Sequence, residues 1–390
     1  MSKVLKWAIV VIMVATVAVL SFGGGVVFGR LGGSPTSIEG APALERAVRE
    51  VRSIINDQAY EPSSDTSMTA GAISGMLDSL DDPYAAYFDP RHFEMLEEQN
   101  SGEFYGIGVV ITDREGIPTV VSVMSGTPAE KSGLKVEDQI LAVDGDRREE
   151  WDLDQIVGLI RGPAGTTVEL GIRRGDQELF MVTVTRAKIE TPNTESEMLE
   201  DSVGYVRLYN FNEKSADSVR DAVEQLESDG ARSIVLDLRD NPGGLLSSSV
   251  DVVSLFVKDG VVVTVKDRDD HEETHRATGK VVTDLPLVVL INENSASASE
   301  IVAGALQDYG RAELVGMKSY GKGSVQQIDA LSFGGAVKLT IARYFTPKGR
   351  TIDKIGLEPD VTVEMELADQ ADKATDVQLK KAVEISLGQQ

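Results

Sequence analysis

Between residues 202 and 309, apolar runs of strand length alternate with helical patterns: strands over 203–211, 233–238, 261–265 and 285–291, helices over 215–228, 245–257 and 297–309. Alternation of this kind predicts an α/β core with a largely parallel sheet, and ligands of such sheets sit at the carboxyl ends of the strands. The core is not the whole molecule. A chain of 390 residues has room for two or three domains at roughly 150 residues each.

The N-terminal residues read differently. Residues 7–28 carry no charge, and as a helix they would run about 33 Å, enough to cross a bilayer. Lys3 and Lys6 precede this run, which predicts a cytoplasmic N-terminus and a bulk of the chain outside the cytoplasmic membrane. A cleaved signal peptide is the alternative, but no clean A-x-A site follows the apolar stretch. The expected organisation is an anchor over 1–30, a Gly/Ser/Pro linker over 31–42, a helical region over 43–102, a β-rich module over 103–187 and the α/β core over 188–390, ending in an acidic helix. Helices are expected at 43–60, 67–80 and 91–99, and the string LDDPYAAYFDP (80–90) is expected only to break the second of them.

Composition removes several chemistries. The absence of cysteine excludes disulfides, thiolate metal sites and a cysteine nucleophile. A net charge of −25 argues against a nucleic-acid or anionic-lipid surface. Only three histidines are present, so the chemistry must rest on Ser, Thr, Lys, Asp or Glu.

In the β-rich module, short Val/Ile runs over 108–112, 119–123, 139–143, 168–173 and 179–185 are separated by turn residues. Gly106, Ile107 and Gly108 open directly into the first run. Two glycines around one apolar residue let successive N–H groups converge on a carboxylate, and the following strand can accept an extended peptide as an added strand. A plain tight turn explains the glycines alone equally well. With SGTPAEKSGLKVEDQILAVDG (125–145) beside them, the module resembles the PDZ domains that accompany bacterial proteases.

The strand at 287–291 runs into NENSASASEIVAGAL (292–306), which places three alternating serines at the start of a helix. Such serines serve as helix caps or as a nucleophile, where the free N–H groups and positive potential would favour an oxyanion. No histidine lies downstream and no G-x-S-x-G surrounds them. Lys322, between two glycines in SYGKGSVQ (319–326), is the candidate base. Burial would lower its pKa and let a neutral amine accept the serine proton; an exposed loop lysine is the plainer alternative.

The strings LDDPYAAYFDP, VLDLRDNPGGLL (235–246), NENSASASEIVAGAL, SYGKGSVQ and FTPKGRTIDKIGLEPDV (345–361), in this order around the PDZ stretch, resemble those of the carboxy-terminal processing proteases, also called tail-specific proteases. The resemblance covers nearly everything from residue 43 onward. It implies a Ser–Lys peptidase core of the spiral type shared with the Clp protease and crotonase families. Carried over position by position, Ser297 is the nucleophile, Lys322 the base, and Gln326, four positions on and spaced as one helical turn, the residue that orients the lysine. Gly243 of NPGG and Ala298 supply the oxyanion amides. Gly106, Ile107 and Gly108 bind the peptide carboxylate. No cofactor and no metal are implied. Expected partners are proteins or peptides with free, mostly apolar C-termini and the membrane through the N-terminal helix, with no nucleic acid; a homo-oligomer is compatible with the sequence. Asp81 and Asp82 are expected to matter only locally.

Two other readings remain: a non-catalytic PDZ scaffold, and a zinc protease using the formal H-E-x-x-H at His271–His275. The zinc motif lies among charged residues without an apolar helical face, which predicts the tip of an exposed hairpin. His92 is expected on the surface. Asp237, Arg239 and Asp240 are expected to form a structural ion pair, and Arg161 to lie near the junction of the PDZ module and the core.

Overall fold

The structure is a computed structural model describing residues 41–389, apart from 62, 115, 149–150, 176, 191–192 and 366–372. The apolar segment 7–28 lies outside these residues. Among the described residues, no helix is long and apolar enough to cross a membrane.

The core sheet has six strands, in the order Thr194–Met198, Val203–Leu208, Ser233–Asp237, Leu287–Ile291, Ala312–Gly316 and Val361–Thr362. The last five run parallel, and Thr194–Met198 closes the edge antiparallel. Alternate residues of each strand face opposite layers. Val206, Leu208, Ile234, Leu236, Val289, Ile291 and Leu314 pack with helices Ser215–Ser228, Leu246–Ser254 and Ala298–Asp308. Val203, Tyr205, Val235, Val288, Leu290 and Val315 instead meet the C-terminal helix Val377–Gly388 through Leu379 and Ala382. Cover on both faces buries Ser233–Asp237 and Leu287–Ile291 at every position, and these strands are accordingly apolar except at Ser233 and the ion-paired Asp237.

A second sheet is antiparallel, and it takes the strand at 261–265 that the alternation pattern assigned to the parallel core. The long strand Ala336–Phe345 pairs with Ser324–Ala330, Ala86–Phe88 and Val261–Asp267, and the last of these pairs with Glu272–Arg276. LDDPYAAYFDP therefore does more than end a helix, because its Ala86–Phe88 pairs with residues 336–338 and ties the N-terminal region to the core. Helix Pro90–Ser101 follows, started by the Asp89 cap and Pro90 and stopped by Gly102 at φ 71°. Before it lie helices Ala41–Gln58 and Asp65–Asp78, joined by an Arg52–Asp65 ion pair of 2.7 Å.

The β-rich module has its own sheet of six strands, Val109–Arg114, Ile117–Val123, Gln139–Val143, Asp146–Arg147, Thr167–Arg173 and Phe180–Thr185. Its core of Ile107, Val120, Ile140, Ile156, Val168, Leu170 and Ile172 is separate from that of the α/β unit. A two-stranded ribbon, Glu103–Gly106 with Ala187–Glu190, forms both its entry and its exit. Val109–Arg114 pairs only with Ile117–Val123 among the described residues, so its other edge is open.

Candidate active site

Two neighbouring parallel strands set the site. Asp237 pairs with Leu290, so the loops leaving these strands emerge side by side. One loop is NPGG; the other carries the three serines. Below them Arg239, fully buried, donates to Asp237 at 2.6 Å and forms an ion pair with Asp376 at 2.8 Å. This is the structural ion pair, although its second carboxylate comes from the C-terminal segment. Asp240 instead accepts from Asn292 Nδ2 at 2.8 Å and Asn294 Nδ2 at 2.9 Å, holding the two loops together.

The serines separate by role. Ser295 Oγ donates to the Leu238 carbonyl and Ser299 Oγ to the Asn241 carbonyl, each at 2.8 Å, and both residues are fully buried. Ser297, half-buried, caps helix Ala298–Asp308 with φ 55° and ψ −113°. That conformation is costly for a residue with a Cβ, by about 1–3 kcal/mol, and such strain collects at functional positions.

Gly243 is pressed against this serine. A Cβ added there would stand 2.8 Å from Ser297 Cβ and 2.9 Å from the Ala298 nitrogen. The structure thus brings both expected amides to Ser297, but they differ in availability. The Ala298 N–H is at the first helical position, where the helix offers no acceptor. The Gly243 N–H donates to Asn241 Oδ1 at 2.9 Å and must leave it to serve an oxyanion.

The Lys322 loop, which leads into the strand Ser324–Ala330 of the other sheet, meets the Ser297 loop through its backbone. Gly321 and Gly323 let its loop lie on the 353–356 segment, since a Cβ at Gly323 would stand 2.3 Å from the Asp353 nitrogen. The Lys322 amine is half-buried, 4.9 Å from the centre of the Tyr84 ring. Burial, reinforced by the nearby Lys338 charge and only partly opposed by Glu300 and Asp82, holds its pKa below the ordinary lysine value.

Two buried groups span the serine and lysine loops. Tyr344, 1% exposed, holds its hydroxyl between the Ser297 carbonyl, at 3.1 Å, and the Lys322 carbonyl, with its single proton shared between the two. Glu300, fully buried, accepts from the backbone N–H groups of Ser297, Gly321 and Lys322 and from Ser319 Oγ. The signal for Glu300 was present in the sequence, because Ser297 and Glu300 have the S-x-x-E spacing of a capping box.

Gln326 departs from expectation. It lies on the strand Ser324–Ala330 rather than a helical turn, and its amide donates to Ser324 Oγ at 2.7 Å and Thr340 Oγ1 at 3.4 Å. The expectation for Asp82 is also corrected. Its carboxylate accepts from the Thr340 N–H at 3.0 Å and Oγ1 at 3.1 Å, so it belongs to the surroundings of Lys322. Burial raises the Asp82 pKa, but hydrogen bonds from Tyr84 and Thr340 outweigh it and hold the carboxyl below its usual range.

In the β-rich module, Gly106, Ile107 and Gly108 lie at the root of the open strand. Gly108 has φ 86°, and a Cβ there would collide with Thr127 at 2.4 Å. Arg161 pairs with Glu98 of helix Pro90–Ser101 and lies 5.4 Å from the Phe104 ring centre, so it faces the helical region.

His271 and His275 are not on a helix. Glu272–Arg276 is a strand of an exposed hairpin, where four residues span about 13 Å. The two rings are too far apart to share an ion, which overturns the zincin geometry. His92 is exposed and bonded to Asp89 at 2.7 Å.

Residues 202–363 match peptidase family S41, residues 119–174 a PDZ domain, and residues 36–91 the N-terminal domain of the activating protease CtpB. The chain is 35% identical to the carboxy-terminal processing protease CtpA of Bacillus subtilis over 323 residues, covering 83% of this chain and 68% of that protein. It is 38% identical to the carboxyl-terminal-processing protease of Synechocystis over 329 residues, covering 82% and 77%. Among solved structures, the photosystem II D1 C-terminal processing protease matches with 30% identity and a TM-score of 0.49, over 85% of this chain and 94% of that one. A serine-type peptidase core preceded by a PDZ module, with relatives of this kind along most of its length, makes the chain a member of the carboxy-terminal processing protease family.

Proposed function

We propose that the chain is an endopeptidase held in the cytoplasmic membrane by residues 7–28, with its catalytic part on the extracytoplasmic side, and that it cleaves proteins near unstructured, mostly apolar C-terminal tails with a Ser297–Lys322 dyad. The observation that carries the dyad is the half-buried Lys322 amine, depressed in pKa, on a loop tied through Glu300 and Tyr344 to the strained Ser297.

The tail would add as a strand along Val109–Arg114, with its carboxylate at the N–H groups of Gly106, Ile107 and Gly108. At the core, neutral Lys322 would take the proton from Ser297 Oγ as that oxygen attacks the scissile carbonyl. The Ala298 N–H and the Gly243 N–H, released from Asn241, would stabilise the oxyanion. Lys322 would return the proton to the leaving amine, and water would hydrolyse the acyl-enzyme. Gln326 acts, in this reading, on the Ser324 and Thr340 side of the lysine loop.

The test offers wild type, Ser297→Ala and Lys322→Ala a flexible, apolar-tailed protein with a free or an amidated C-terminus. Cleavage by wild type alone, weakened by amidation, is expected. Equal cleavage by Ser297→Ala removes the dyad. If wild type neither cleaves nor reacts with an acylating serine probe, the scaffold reading takes its place.

A further inference from the structure

The Glu300 carboxylate is used by no step of the proposed chemistry, yet it has an arrangement that few buried acids have. Oε2 accepts the N–H of Ser297 at 2.8 Å and that of Lys322 at 2.9 Å. Oε1 accepts Ser319 Oγ at 2.6 Å and the Gly321 N–H at 2.7 Å. A single oxygen therefore joins the backbone of the candidate nucleophile to the backbone of the candidate base. The side chain has no exposure, and among the described residues no lysine, arginine or histidine forms an ion pair with it.

Burying a carboxylate without a cation is costly, and here the compensation is a full set of donors. Three of the four are backbone amides, which can only donate. A protonated carboxyl or a carboxamide would turn a donor of its own against one of them, leaving a buried N–H unpaired at about 1–3 kcal/mol. The donor set matches the ionised form. Burial outweighs these hydrogen bonds and holds the Glu300 pKa above the ordinary glutamate value, so it is the geometry of the donors, rather than a depressed pKa, that selects the carboxylate.

We infer that Glu300 is a positioning residue of this peptidase: its ionised carboxylate, by holding the Ser297 and Lys322 amides on one oxygen, sets the distance between nucleophile and base. The inference rests on the Ser297–Lys322 reading. Glu300 touches neither substrate nor a reacting atom, and it does not move the transferred proton. Its neighbours that titrate are Lys322, Tyr344 and Tyr84, with Asp82 and Lys338 beyond the lysine.

Two roles for Glu300 predict opposite signs. If Glu300 acted only as a charge, its removal would lower the Lys322 pKa further, because its field raises that value. If it acts by position, its removal frees the lysine loop, the amine regains water, and the Lys322 pKa rises toward that of ordinary lysine. The pH at which activity appears reads this difference directly, since only the neutral amine accepts the serine proton.

The experiment compares the full-length wild type with Glu300→Gln, Ser319→Ala and Ser297→Ala, on a flexible peptide with a free apolar tail. Active sites are counted with a fluorophosphonate probe, and folding is followed by Tm. For Glu300→Gln the expected result is a loss of about 100-fold in kcat per folded enzyme, the scale of a misplacement near 1 Å. KM should stay within about three-fold, and the rising limb of kcat/KM should move to higher pH. Ser319→Ala removes one donor from Oε1, so it should shift the limb the same way with a loss of about 3- to 10-fold in kcat. It decides the matter should Glu300→Gln not fold. Overturning results are a Glu300→Gln or, in its absence, a Ser319→Ala whose kcat and pH profile match wild type, or a limb that moves to lower pH. If Ser297→Ala retains full activity, the dyad itself fails, an outcome distinct from any result on Glu300.

Discussion

The Nζ atom of Lys322 lies 4.9 Å from the centre of the Tyr84 ring, although the two residues belong to opposite ends of the chain. Tyr84 arrives by way of the Ala86–Phe88 strand, and the ring covers an amine that would otherwise face water. The N-terminal region thus supplies part of the candidate base's environment, beside Lys338 and Glu300 of the core.

Removing this cover should be visible in the pH dependence. Tyr84→Ala lets water reach Lys322, so its pKa rises and the rising limb of kcat/KM moves to higher pH. The expected cost at neutral pH is about ten-fold, one unit of protonation equilibrium. Tyr84→Phe retains the ring and should remain near wild type. Lys338→Met should move the limb in the same direction, because the Lys338 charge helps to keep Lys322 low. A pH–rate profile for each variant checks this.

The same lysine affects stability with a definite sign. Its folded pKa is depressed, so the unfolded chain binds the proton more readily between that value and the ordinary lysine range. Its contribution to stability is present above the unfolded pKa and is lost as pH falls through the folded one. Lys322→Met removes the titration, so at neutral pH its Tm should exceed that of wild type, and the difference should shrink toward pH 10. Thermal melts across pH measure it.

At Gly243 the prediction separates activity from folding. An alanine there places its Cβ 2.7 Å from the Ala296 carbonyl oxygen and 2.8 Å from Ser297 Cβ, at a φ of 96°. Gly243→Ala should lose about 100-fold or more in kcat/KM, on the scale of one lost oxyanion donor. At Gly244 an added Cβ would lie 2.0 Å from the Phe211 carbonyl oxygen. Gly244→Ala should fail to accumulate as folded protein, which solubility and circular dichroism will report.

Arg239→Ala strips the partner from two buried carboxylates, Asp237 and Asp376. Breaking a buried pair in this way costs about 3–5 kcal/mol. Urea denaturation should show that loss. Because Asp376 caps helix Val377–Gly388, hydrogen exchange should rise first in that helix.

The parallel core was legible because its strands are buried on both faces and its helices keep an apolar stripe; the expected helix over 215–228 coincides with the observed one. The second sheet was not. Ser324–Ala330 reads SVQQIDA, half polar, and its register comes from pairing with Ala336–Phe345 rather than from a periodic pattern of its own. Ser297, Lys322 and Gly243 are singled out by motif as candidates, and the capping-box spacing carries the signal for Glu300. Asp82, Tyr84 and Lys338 gave no local sign, since they act on the lysine across sequence distances that only the fold closes.

The open edge at Val109–Arg114 brings a hazard of its own. A bare strand edge attracts any extended chain, including a neighbouring copy or a protein only partly folded. Here the edge changes character along its length, with half-buried Val109 and Ile111 near the glycine pair and exposed Asp113 and Arg114 at the far end. A long strand laid along all of it would desolvate both charges, whereas a short tail ends before reaching them. If tails add along this edge as proposed, the exposed pair at its far end would favour short added strands over the extended ones from which aggregates grow.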